Sequence, residues 1–202
     1  MTLVKICGIT NVKDALMAVT AGADAIGLVF AASPRRVSVE QAAEITTAVG
    51  PWVSTVGVFV NESADNIRRI AAKCRLNAVQ LHGDEDAAVA KALEGYKIIK
   101  AFRIGAASDL KGINNFPADA FLFDSKVSGK FGGSGQTFDW KMIKENKISK
   151  PFIISGGLNP KNVAGAVKTL NPYGVEASSG VEKSPGQKDG KLLKEFIKNA
   201  KK

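Results

Sequence analysis

Histidine is almost missing from this 202-residue chain. His82 is the only one, which excludes a metal site built on several imidazoles and leaves any Ser-His-Asp scheme a single candidate, one that no Gly-x-Ser-x-Gly elbow accompanies. Cysteine is nearly as scarce. Cys7 and Cys74 are too few for a disulfide scaffold, form no Cys-x-x-Cys pair and belong to no Cys/His cluster, so neither disulfides nor structural zinc are expected to hold this fold. No run approaches the roughly 18 consecutive apolar residues of a membrane span, and the N-terminus lacks a basic segment followed by an apolar core and cleavage site. The expected location is therefore the cytoplasm, with no membrane partner. No Pro/Gly/Ser-rich linker interrupts the chain, and residues 1–202 are expected to form one domain.

What is present is an ordinary globular composition, 45% apolar, enough to bury a sizeable core at this length. A net charge of +9 is compatible with nucleic acid, but equally with faster encounter of any small polyanion.

Short β-rich runs alternate with helical patterns almost to the end. The runs are VKIC (4–7), AIGLVF (25–30), STVGVFV (54–60), AVQL (78–81), KIIKAF (97–102), AFLFD (120–124), FIIS (152–155) and GVEAS (174–178). Between them lie stretches with helical spacing, such as Val12, Ala15, Leu16, Val19 and Ile67, Ile70, Ala71, Cys74. Alternation of this kind predicts a parallel sheet, and near-continuous apolar strands predict one covered on both faces. Eight such units make a (β/α)8 barrel at the compact limit of its size. A doubly wound open sheet with fewer true strands is the alternative.

In a parallel barrel the segments after each strand gather at the C-terminal face, where active sites of this fold sit. Those segments hold Cys7-Gly8, Ser33 to Arg36, Asn61, His82-Gly83, Asp124-Ser125, Ser155-Gly156-Gly157 and Ser178-Ser179-Gly180. Cys74 closes a helix and belongs at the opposite face, out of reach of a disulfide with Cys7. ISGGLNP and SSGVEKSPG, after the seventh and eighth strands, have the glycines and helix starts that let phosphate approach the backbone. A plain strand-to-helix turn at Gly156 and Gly157, with Asn159 or Pro160 opening the next helix, is the alternative. FGGSGQTFDW (131–140) is longer than a turn requires and reads as a loop over the substrate, its Asp139 suited to cap a helix.

Proton transfer at carbon needs an acid and a base on opposite sides of a small substrate. Cys7 and Asp124 end apolar strands at matching positions. A thiol there could be lowered toward neutrality by cations or helix N-termini, and the Asp could be an acid; core filling and helix capping are the structural alternatives. His82 is either a substrate contact or a structural hydrogen-bonding residue. Arg35 or Arg36 could grip a carboxylate through two hydrogen bonds, or form a solvated pair before a helix capped by Ser38.

With these residues the chain resembles the phosphoribosylanthranilate isomerase family of tryptophan biosynthesis. The matching stretches are KICGIT (5–10), GLVF with SPRRVS (27–30, 33–38), VGVFVN (56–61), QLHGDE (80–85), FDSK with FGGSGQTFDW (123–126, 131–140), SGGLNPKNV (155–163) and SSGVEKSPGQKD (178–189). The resemblance implies a (β/α)8 barrel, no metal or organic cofactor, and an Amadori rearrangement of N-(5-phosphoribosyl)anthranilate, a small anionic sugar phosphate, to 1-(2-carboxyphenylamino)-1-deoxyribulose 5-phosphate. It makes Cys7 the general base, Asp124 the general acid and Arg35 the carboxylate contact, because the family pattern reads Ser-Pro-Arg-x-Val. It gives the phosphate to Gly156, Gly157, Ser178, Ser179 and Gly180; His82, from its place after the fourth strand, is expected among the substrate-binding residues. The protein would be a monomer or a homodimer.

One position departs from the family. The usual Gly-Val-Asp-Val-Ser-Ser-Gly is here GVEASSG, with Glu176 and Ala177, and by strand alternation Glu176 points into the barrel or the site. The nearest rival, the imidazole carboxamide ribotide isomerase of histidine biosynthesis, uses an aspartate where this chain has Cys7. A nucleic-acid-binding protein is the rival of another class. Yet Leu192, Leu193, Phe196 and Ile197 give the basic C-terminal segment one apolar face, as a last barrel helix would need.

Overall fold

The computed structural model describes residues 1–126, 137 and 139–202. Eight parallel strands close into a barrel in sequence order: β1 (Leu3–Cys7), β2 (Ala25–Val29), β3 (Ser54–Phe59), β4 (Ala78–Leu81), β5 (Lys97–Ile104), β6 (Ala120–Ser125), β7 (Phe152–Ile154) and β8 (Gly174–Ala177). Closure is made by β1 and β8, with Leu3 opposite Gly174 and Ile6 opposite Ala177. The open-sheet alternative is thereby excluded.

Among the described residues seven helices cover the barrel: α1 (Val12–Thr20), α2 (Val39–Val49), α3 (Ala64–Lys73), α4 (Ala87–Ala92), α5 (Lys141–Lys144), α6 (Val163–Leu170) and α7 (Gly190–Ala200). Their starts follow from side chains that accept hydrogen bonds from otherwise orphaned N–H groups. Asn11 accepts from the Asp14 N–H, Asp189 from those of Lys191 and Leu192, and Ser38 forms the expected cap, a reciprocal box with Gln41. Asp139 accepts from the Lys141 N–H at 3.0 Å, but the N-cap position of α5 is taken by Trp140, one residue later than expected, and that residue makes no side-chain cap. α7 buries Leu193, Phe196, Ile197 and Ala200, each large side chain contributing roughly 1.5–3 kcal/mol, and Leu192 is half-buried beside them.

Two connections differ from the expected pattern. Between β5 and β6 the chain makes two 3₁₀ turns, Ala107–Leu110 and Ile113–Asn115, instead of an α-helix. Gly112 adopts a left-handed conformation between them and Pro117 follows, so no uninterrupted helical stretch fits. After β8 a 3₁₀ turn (Ser179–Val181) leads into a two-stranded antiparallel ribbon, β9 (Glu182–Ser184) and β10 (Gln187–Lys188). Helix α6 begins at Val163, later than Asn159 or Pro160, because Asn159 to Asn162 are spent on a hydrogen-bonded turn.

The main core lies between sheet and helices. Ala101, Leu122 and Ile153, with Ile99 against them, form a separate small cluster. Strand alternation sets Leu122 and Asp124 on one face, and Ile153 and Ser155 likewise, so the apolar cluster floors a polar site at the C-terminal end. At the other end, small residues leave a cavity of about 320 Å³ lined by Leu3, Ser54, Ala78, Ala120, Tyr173 and Gly174.

Candidate active site

The polar site is assembled around β1. Its sequence Leu-Val-Lys-Ile-Cys sends Lys5 and Cys7 to the same side, and both are buried. The Lys5 ammonium donates to the Gln80 side-chain oxygen of β4 at 2.8 Å, pairs with Glu176 of β8 and lies beside the Cys7 thiol, both crowding Gly27 of β2. Glu176 also accepts from the Ser155 hydroxyl at 3.0 Å. Its inward direction is as strand alternation required, and the extra methylene of Glu over Asp is spent on spanning two partners.

Gln80 passes the chain of contacts on. Its amide nitrogen lies 2.7 Å from His82 Nδ1, and His82 Nε2 lies 3.3 Å from Asp124 Oδ2. Asp124 Oδ1 accepts the Ser125 backbone N–H at 2.8 Å, so both carboxyl oxygens are oriented. His82 therefore faces the acid, held on both ring nitrogens by protein atoms.

Gly8, which follows the thiol, has φ +72°. A Cβ there would strike the Arg35 stem and come within 2.9 Å of the Ser178 hydroxyl. The room beside Cys7 is thus filled by two side chains of other loops. Arg35 is half-buried, with Nε and Nη2 donating to the two Glu182 oxygens at 2.9 and 2.7 Å, whereas Arg36 is exposed. Lys188, buried below, donates to the carbonyls of Cys7 and Ser178 at 2.6 and 3.2 Å and to Glu182 at 2.8 Å. The ribbon β9–β10 is what delivers Glu182 and Lys188.

These charges do not lower the thiol as its strand-end position suggested. Burial pushes Cys7 above its ordinary value and the Glu176 carboxylate adds to the rise; Lys5 and Lys188 oppose it without prevailing. For Lys5, burial works against the ammonium, yet Cys7 and Glu176 raise it overall, so it is charged. Burial lowers Lys188 despite the nearby Glu182. Burial alone would raise Glu182, but hydrogen bonds from Arg35 and Lys188 bring it below the ordinary carboxylate value.

The two glycine-bearing loops meet. Gly180 packs directly on the Leu158 carbonyl, and Ser178, Ser179, Gly180 and Gly157 are all half-buried. The Gly157 carbonyl is drawn back by Asn159 and Asn162 at 3.3 and 3.0 Å, and the N–H groups of Gly156 and Gly157 have no acceptor among the described residues. Gly156, at φ +79°, is required beside the acid: a Cβ would come within 2.6 Å of the Ser125 nitrogen and 2.9 Å of Asp124 Oδ1. Most of FGGSGQTFDW, including the stretch read as a loop over the substrate, lies outside the described residues.

All the site residues expected from sequence therefore converge on one end of the barrel. Cys74 is buried at the end of α3, and both cysteines are free thiols. Among the described residues no cluster of His, Cys, Asp and Glu could hold a metal ion, and no helix is long and apolar enough to cross a membrane. Sequence reading missed Lys5, Gln80, Glu182 and Lys188. The available signal was a polar residue inside each apolar run, Lys in VKIC and Gln in AVQL.

Comparison with known proteins agrees with this geometry. Residues 4–199 match the family model of N-(5'phosphoribosyl)anthranilate (PRA) isomerase. An N-(5'-phosphoribosyl)anthranilate isomerase of Geobacter sulfurreducens is 47% identical over 202 residues, covering 100% of this chain and 99% of its own. The crystal structure of phosphoribosyl anthranilate isomerase from Thermotoga maritima superposes with a TM-score of 0.91 at 42% identity, covering 100% of this chain and 99% of the other. A further structure from that organism is of monomers generated from a dimeric enzyme (TM-score 0.88, 40% identity, coverage 100% and 99%). A complex of such an enzyme with reduced 1-(o-carboxyphenylamino)-1-deoxyribulose 5-phosphate gives a TM-score of 0.88 at 41% identity, again covering 100% and 99%.

Proposed function

The chain belongs to the N-(5'-phosphoribosyl)anthranilate isomerase family, acting in tryptophan biosynthesis, and on that basis we propose how its own residues divide the work: Cys7 as base, Asp124 as acid. The observation that carries this reading is that the thiol and the carboxyl sit at the C-terminal ends of strands β1 and β6 of one barrel, and that a buried hydrogen-bonded chain runs from Lys5, beside the thiol, through Gln80 and His82 to the carboxyl.

Asp124 gives its proton to the furanose ring oxygen as the bond from C1 to that oxygen breaks, leaving an open-chain Schiff base between C1 and the anthranilate nitrogen. The Cys7 thiolate takes the proton from C2, and the released pair forms the C1–C2 double bond of an enolamine. Loss of the O2 proton and gain of one at C1 complete the ketone, so substrate and product have the same composition. Gly156, Gly157, Ser178, Ser179 and Gly180 hold the phosphate, Arg35 meets the anthranilate carboxylate, and His82 acts from beside the acid.

The test is consumption of freshly prepared phosphoribosylanthranilate, followed by its fluorescence. Cys7→Ala and Asp124→Asn are expected to lose about 10²–10⁴-fold in kcat or more, as loss of a general base or acid requires. Activity retained in Cys7→Ala would remove the thiol from the chemistry.

We read the site of action as the cytoplasm, from the place of the reaction in amino-acid biosynthesis. Of monomer and homodimer we favour the homodimer, formed through the N-terminal end of the barrel. Leu3, Trp52 and Tyr173 are exposed there at the starts of three strands, and the T. maritima relative is described as dimeric. Light scattering should give twice the chain mass for wild type and a lower value for Trp52→Glu.

A further inference from the structure

The proposed reaction uses the thiol and the carboxyl but leaves unexplained why a lysine, a glutamate and a glutamine are buried in the barrel beneath them. Burying a charge is costly unless it is paired and hydrogen-bonded, and Lys5 is both, against side chains of two other strands. Its position is particular. A Cβ built on Gly27 of β2 would lie 2.7 Å from Cys7 Sγ and 3.1 Å from Lys5 Nζ, so thiol and ammonium converge on one point of the neighbouring strand.

The same ammonium fixes what happens at the acid. A charged lysine only donates, so the Gln80 group facing it is the carbonyl oxygen and the amide NH₂ faces His82. His82 Nδ1 must then accept, and the ring proton sits on Nε2, aimed at Asp124 Oδ2. One side chain thus sets the partner of the base and, through two rigid hydrogen-bonding groups, the donor that meets the acid.

We propose that Lys5 is a positioning residue coupling base and acid: its ammonium is the counter-charge of the Cys7 thiolate, and its grip on Gln80 fixes the His82 tautomer presented to Asp124. This rests on Cys7 and Asp124 being the reacting pair. The charged groups facing Cys7 are Lys5 from its own strand, Glu176 from β8, Lys188 from β10 and Arg35 from the loop after β2. Lys5 and Glu176 act on the thiolate in opposite senses, which gives the proposal a signed test.

The thiolate titration is read by ultraviolet absorbance as the difference against Cys7→Ala, which removes the Cys74 signal. Lys5→Met should move the Cys7 titration to higher pH by about one unit or more, and Glu176→Gln should move it to lower pH. Lys5→Arg should stay closer to wild type. In turnover, Lys5→Met should lower kcat with KM little changed, a loss recovered in part at higher pH. If Lys5→Met does not fold, Lys5→Met with Glu176→Gln removes both buried charges together, and its thiol should titrate above that of Glu176→Gln alone. A Cys7 titration unmoved by loss of Lys5 overturns the proposal.

The acid half has its own readout. Because His82 is the only histidine, its nitrogen NMR signals need no assignment, and wild type should show the proton on Nε2. A proton on Nδ1 overturns that half. Neither titration nor tautomer depends on turnover, so failure here is distinct from an inactive wild type or an active Cys7→Ala, which would sink the catalytic reading instead.

Discussion

Arg35 and Glu182 face each other fork to fork, 147 residues apart in sequence, with hydrogen bonds of 2.9 and 2.7 Å. The guanidinium that is to meet the substrate carboxylate is therefore aimed by a carboxylate of its own chain. Glu182→Gln should release it. The expected result is a KM raised about tenfold, equivalent to roughly 1.4 kcal/mol of lost binding, with kcat changed less. Steady-state kinetics decide it, and an unchanged KM would mean that Arg35 is oriented by other contacts.

The raised Cys7 titration has a stability consequence whose sign is fixed. Between the unfolded and folded values the native state binds the proton that the unfolded chain has lost, so stability is full below the unfolded value and falls as pH rises toward the folded one. Tm measured across alkaline pH should fall less steeply for Cys7→Ala than for wild type. The same titration makes kcat/KM of the free enzyme climb toward alkaline pH.

Gly156→Ala should damage catalysis more than folding. The added methyl would press on Asp124 Oδ1 and the Ser125 nitrogen, and φ +79° disfavours any side chain. A displacement of the acid on the order of 1 Å costs about 10²-fold in kcat. Circular dichroism and turnover together check that the fold survives while the rate falls.

At the loop after His82, Lys100 Nζ pairs with Glu85 at 2.7 Å and donates to the Gly83 carbonyl at 2.8 Å, both side chains buried. Glu85 accepts in turn from the N–H groups of Asn61 and Gly83 at 2.8 and 3.1 Å. Lys100→Met leaves that carboxylate buried without its cation and should cost about 3–5 kcal/mol in urea unfolding. A loss under about 1 kcal/mol would show that the pair is solvated in solution.

The barrel was legible because both of its signals are local. Each strand is a short apolar run bounded by turn residues, and the helices carry their caps in sequence, as Asn11 and Ser38 do. The positions of Cys7, Asp124 and the glycine loops followed, since a parallel barrel sends every strand end to one face. What escaped was set by partners distant in sequence. The height of the Cys7 titration depends on Glu176, 169 positions later, and on burial, neither of which a strand-end position encodes. The β5–β6 connection departs from the strand–helix alternation because Gly112 and Pro117 divide it into short 3₁₀ turns, and β9–β10 is set by a cross-strand pairing that its glycine-rich motif does not encode.

Strand β1 leaves one edge waiting for β8, whose Glu176 is separated from its partner Lys5 by 171 positions. During synthesis the 171 positions between the two are added over an interval on the order of ten seconds or more at ordinary translation rates. For that time the nascent chain carries an open strand edge and a lysine without its carboxylate, both invitations to mispairing. The reaction centre cannot exist on any shorter fragment ending before β8. Activity therefore reports that β8 has been made and the ring has closed.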